Sequence, residues 1–99
     1  MQSVTDFPWE FAHITETTLV QTGATVLHTL TINRGASQGT IVATVYDGAD
    51  ATGTIVAIID VGDTVVTPTT LAWGIALETG LYIVVSSSEV SVDLTVSFK

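Results

Sequence analysis

From Glu89 to Lys99 the chain reads E-V-S-V-D-L-T-V-S-F-K, and Val90, Val92, Leu94, Val96 and Phe98 alternate without a break with Ser91, Asp93, Thr95, Ser97 and Lys99. Successive side chains of an extended strand point to opposite faces, so this stretch has one apolar face and one wet face. A slip of one residue would expose every apolar group, which fixes the register of whatever pairs with it. Upstream, Gly80 to Ser86 (G-L-Y-I-V-V-S) reads as a second strand, and the short polar link Ser87-Ser88 predicts an antiparallel hairpin of the two.

The rest of the chain is punctuated in the same way. His13 to Val20 is loosely alternating and Thr-rich, which predicts an edge strand, and Gln21-Thr22-Gly23 turns it. Ala24 to Ile32 predicts a strand with Val26, His28, Leu30 and Ile32 on one face and Leu27, Thr29 and Thr31 on the other. After the loop Asn33–Gly39, the β-branched runs Thr40–Tyr46 and Thr54–Ile59 flank Asp47–Gly53 as a hairpin. Asp60-Val61-Gly62-Asp63 turns again, Thr64–Thr67 is a short strand, and Pro68 ends it. Leu71, Trp73, Ile75 and Leu77 then alternate with Ala72, Gly74, Ala76 and Glu78, so the small side suits close approach of another sheet or subunit. Glu78-Thr79-Gly80 leads into the closing pair of strands. About eight short strands with turns every 8–12 residues predict an all-β, antiparallel β-sandwich of jelly-roll type, with a barrel as the alternative. Val92, Leu94, Val96, Leu71, Trp73, Ile75, Leu81 and Ile83 are its expected core.

Composition supports one such domain. The 99 residues are 46% hydrophobic and rich in Thr and Val, whose β-branched side chains suit a pleated surface. A sandwich over residues 13–99 preceded by an extended arm over 1–12 is the expected organisation. Ten acids stand against Arg34 and Lys99, a formal charge of −8, which argues against nucleic acid or an anionic membrane as partner. Cysteine is absent, which removes disulfides and thiolate chemistry. The start, Met1 to Asp6, shows no secretory pattern, and no apolar run approaches the roughly 20 residues of a spanning helix, so a soluble protein made in a cytoplasm is expected.

Phe7-Pro8-Trp9-Glu10-Phe11 places three of the seven aromatic residues within one short segment. Pro8 keeps that segment out of a central strand. The segment is either a plug over one end of the core or an anchor in a neighbouring subunit, and Phe7, Trp9 and Phe11 are the candidate partner-binding residues.

Catalytic patterns are missing. His13 and His28 stand among many serines, but no Gly-x-Ser-x-Gly elbow, His-Glu-x-x-His or phosphate-cradling loop occurs, so neither an enzyme nor a cofactor is expected. Asp47 and Asp50 share one loop, and Asp60 and Asp63 share the next turn. Whether the four converge depends on strand length, and their spacing lacks the ligand density of a calcium loop, so turn-forming aspartates with no metal are expected. A glycan site would need exposed aromatic rings over a polar groove, whereas Trp73 and Tyr82 read as core and half-buried.

Three stretches carry a likeness: T-V-Y-D-G-A-D-A-T-G-T-I-V-A from Thr44 to Ala57, T-G-L-Y-I-V-V-S from Thr79 to Ser86, and V-D-L-T-V-S-F from Val92 to Phe98. Together they resemble the small β-sandwich structural proteins encoded among tailed-bacteriophage virion genes, over residues 19–98. The motifs are mainly strand and turn chemistry, and Phe7 to Phe11 match no part of the family pattern. The resemblance implies a virion component, such as a capsid decoration, head-fibre or tail-associated protein. It would contact the major capsid protein or other virion proteins, as a homo-oligomer. A carbohydrate- or host-surface-binding module of a tail or fibre is the alternative.

Overall fold

The structure is a computed structural model that describes residues 9–33, 41–61, 69–87 and 92–99. Among the described residues there are eight strands: β1 (Glu10–Ile14), β2 (Thr18–Thr22), β3 (Thr25–Ile32), β4 (Ile41–Asp47), β5 (Thr54–Val61), β6 (Thr69–Leu77), β7 (Gly80–Ser87) and β8 (Leu94–Phe98). They form two antiparallel four-stranded sheets, ordered β1-β8-β3-β6 and β2-β7-β4-β5. First with last, second with seventh, third with sixth and fourth with fifth are all paired. One long antiparallel ribbon, rolled until β8 also meets β3 and β7 also meets β4, produces that order, which is the jelly roll.

Every connection except β4–β5 crosses from one sheet to the other. Hence β7 and β8 form no hairpin, contrary to the expectation from their proximity in sequence: β7 lies between β2 and β4, and β8 between β1 and β3. Each has an apolar inner face, and two such strands can share a core from opposite sheets as well as from one. Likewise His13 to Val20 is not one edge strand. It divides at Thr15–Thr17 into β1 and β2, which are edges of different sheets. The expected β4–β5 hairpin is present. The short strand expected over Thr64–Thr67 lies outside the described residues.

The core fills the space between the sheets. Leu27, Leu30, Leu94 and Val96 from the central strands of one sheet meet Ile41, Ala43, Val45, Leu81 and Ile83 from those of the other, all fully buried. At about 1.5–3 kcal/mol for each large side chain buried, these residues dominate the favourable side of folding. Of the expected core, Val92, Leu94, Val96, Leu81 and Ile83 are buried, while Leu71, Trp73 and Ile75 are partly buried and packed against it. These last three sit on β6, an edge strand with a neighbour on one side only.

The predicted phase of β3 is corrected by a bulge. Leu27 pairs with Phe98 and Thr29 with Ser97, so His28 is an extra residue against β8. Without it, Leu27 and Leu30 would lie on opposite faces; with it, both are buried and His28 turns outward. On the other side of β3 the irregularity falls on β6, where Gly74 adopts φ 63°, a left-handed conformation that costs glycine little.

Candidate interaction surface

Edge strand β1 presents the aromatic residues singled out in the sequence. Glu10 to Ala12, expected at the end of an arm, form its first part and pair with Val96 to Phe98 of β8. Inner positions of β8 alternate with outer ones, so Phe11, opposite Ser97, stands on the outer face, and it is 75% exposed. Trp9 precedes the strand, is 43% exposed, and stacks on the bulged His28 with ring centroids 4.0 Å apart and planes 9° from parallel. Neither ring enters the core. Phe7 lies outside the described residues.

Beside these rings the outer face is polar. Phe11, Ser97, Thr29 and Ala72 form one row across β1, β8, β3 and β6, and His13, Thr95, Thr31 and Thr70 form the next. Ser97 Oγ lies 3.1 Å from His28 Nδ1 and 2.6 Å from Thr29 Oγ1. Thr31 and Thr70 bond through their hydroxyls at 2.9 Å. At the end of the face, His13 Nε2 lies 2.6 Å from Asp93 Oδ1, and Asn33 Nδ2 donates to Asp93 Oδ1 at 3.1 Å and to Thr95 Oγ1 at 2.8 Å. The result is a polar surface of hydroxyls, imidazoles and an amide with two aromatic rings at one side.

A nucleophile, a base and the carboxylate that orients the base must form one chain of contacts. Here Ser97 contacts His28, whereas Asp93 contacts His13, so the parts are divided between two histidines.

The three described aspartates, Asp47, Asp50 and Asp60, do not gather. Asp47 caps the β6–β7 turn: Oδ1 accepts from the Thr79 N–H at 2.8 Å and the Gly80 N–H at 3.3 Å, and Oδ2 from the Glu78 N–H at 3.1 Å. The Thr79 and Glu78 amides hold its carboxyl below the usual carboxylate range. Asp50 is held low by the hydroxyl and then the backbone N–H of Thr52, a turn within its own loop. Asp60 sits opposite Val42 at the other end of the hairpin, five positions from Asp47 along β4, or about 17 Å at about 3.3 Å per residue. Asp63 lies outside the described residues. Among the described residues no group of three or more His, Cys, Asp and Glu is arranged to hold a metal ion.

The second sheet carries an outer apolar row that the sequence reading did not isolate. Leu19, Tyr82, Tyr46 and Ile55 lie side by side across β2, β7, β4 and β5, with the two tyrosine rings 6.2 Å apart. Ile58 lies on the same face in the next row, opposite Thr44, and is 62% exposed. The signal was the run Ile55-Val56-Ala57-Ile58-Ile59, which no period-2 strand can bury entirely.

Comparison of the chain with protein-family models, with curated proteins and with solved structures finds no match.

Proposed function

We propose that this chain is a non-enzymatic structural protein of a bacteriophage virion, which decorates or stabilises the capsid through repeated contacts with the major capsid protein or other virion proteins. The observation that carries the reading is the placement of Phe11 and Trp9. An aromatic ring left 75% exposed on a folded sheet, two residues from a second ring at 43%, supports a contact surface over a plug. The sequence resemblance points to the same class of protein. The jelly roll agrees with it and does not by itself choose it, because one fold serves many functions.

A second reading draws support from the same face. Two aromatic rings beside rows of hydroxyl, imidazole and amide groups also suit a glycan, which stacks on rings and bonds to polar neighbours.

The test is Phe11→Ser and Trp9→Ser, assayed for binding to purified particles and to a glycan array. Both positions lie outside the core, so melting should stay close to that of the parent chain. Loss of particle binding at unchanged stability supports the structural reading. Loss of a specific glycan signal, with particle binding intact, supports the alternative. Unchanged binding in both assays removes this face from the function.

A further inference from the structure

We propose that β5 is a self-association edge, which pairs antiparallel with β5 of a second copy of this chain and joins two four-stranded sheets into one of eight. An edge strand presents unpaired N–H and C=O groups, and folded proteins guard such edges with lysine, proline, bulges or short length. Thr54–Val61 has eight residues, no lysine, arginine or proline, and leaves Ile55 53% and Ile58 62% exposed. Its one irregularity falls at Val56, so Ala57–Val61 remains in regular register with β4. β5 is bulged as β2 and β6 are, but it is longer than β1 and β2, which have five residues each, and among the described residues it is the edge that exposes two large aliphatic side chains.

A second copy fits this edge for two reasons. Antiparallel pairing of a strand with itself obeys a two-fold axis, so each copy supplies the same residues and the contact closes. Charge also permits it there. A chain of formal charge −8 repels its own copies, yet Asp60 is the one charged residue of β5. A register centred on Ile58 or on Ile59 places Asp60 opposite Val56 or Ile58 of the second copy, never opposite another acid. The pairing would also bring the exposed isoleucines of the two copies together on one face.

The inference does not rest on the virion reading, because the purified chain is tested alone. Sedimentation equilibrium over a range of concentrations should show a monomer–dimer equilibrium that strengthens as salt screens the acidic surface. Ile58→Lys should abolish dimerisation with its circular dichroism spectrum unchanged, whereas Leu19→Lys, on the far edge of the same face, should dimerise as the parent does. Because the chain has no cysteine, Ile58→Cys offers a second reading: oxidation should link it into dimers faster than it links Leu19→Cys. A parent chain that stays monomeric at all concentrations overturns the proposal. So does an Ile58→Lys variant that still dimerises, or a Leu19→Lys variant that loses dimerisation equally, since that result indicates stacking of faces and not pairing of edges.

Discussion

The Asp47 carboxylate lies 2.8 Å from the Thr79 amide nitrogen, and through that contact the end of β4 holds the turn between β6 and β7. Around it three connections meet: Gly23 N–H bonds to Thr79 O at 2.8 Å, and Gly48 N–H bonds to Gly80 O at 3.1 Å. The β2–β3 turn, the β4–β5 loop and the β6–β7 turn thus form one unit at one end of the sandwich. The function of Asp47 is structural, and the contacts the structure gives it are to backbone amides of this turn.

Its titration has a defined sign. Hydrogen bonds from Thr79 and Glu78 lower the folded-state pKa below the ordinary aspartate value, at which the unfolded chain titrates. The stabilisation is therefore complete above the unfolded pKa and is lost as pH falls through the folded one. Asp47→Ala should melt below the parent at pH 7, and the gap should close as both are taken to pH 2–3, measured by thermal melts across the range. A gap that is constant with pH would mean that the charge of Asp47 plays no part.

Gly80 tests the same junction by shape. A Cβ there would lie 2.8 Å from Gln21 O and 2.8 Å from Gly48 O, both backbone atoms that cannot swing aside. Gly80→Ala should cost about 1–3 kcal/mol in urea unfolding, as overpacking does. Gly23 has open space around its Cβ position but adopts φ 86°, so Gly23→Asn should be tolerated better than Gly23→Ala.

Leu94 tests the core. It is 1% exposed and lies between Ile14 and Ile32 in the register of β1, β8 and β3. Leu94→Ala should cost about 2–5 kcal/mol, and Phe11→Ser on the outer face of the adjacent strand less than about 0.5 kcal/mol. Equal losses at the two sites would contradict the assignment of faces.

What the sequence disclosed was local. The alternation of Val92 to Phe98 placed the inner face of β8, and the Asp47–Gly53 loop marked the one hairpin that stays within a sheet. Which sheet a strand joins was hidden, because Ile83 and Leu94 look equally apolar whether their strands pair with each other or face across the core. His28 was placed on the wrong face because a bulge adds a residue without any turn signal, and the gain is a buried Leu27 and Leu30 together. Of the aromatic segment, the composition was legible and the presentation was not. Pro8 argued against a central strand, but the exposure of Phe11 follows from its register opposite Ser97, which depends on a partner eighty-six residues away in the chain. The row from Leu19 to Ile55 draws one residue from each of four strands and has no signature in any one of them.

The most direct test of the account is the amount of this chain in assembled particles. Particles produced from the genome that encodes it should be purified on a gradient, and the chain quantified by mass spectrometry against the shell and tube subunits. The account predicts a fixed stoichiometry with one of those subunits, sharply reduced when the genome carries Phe11→Ser. Absence of the chain from particles, or a trace amount with no constant ratio, would contradict it.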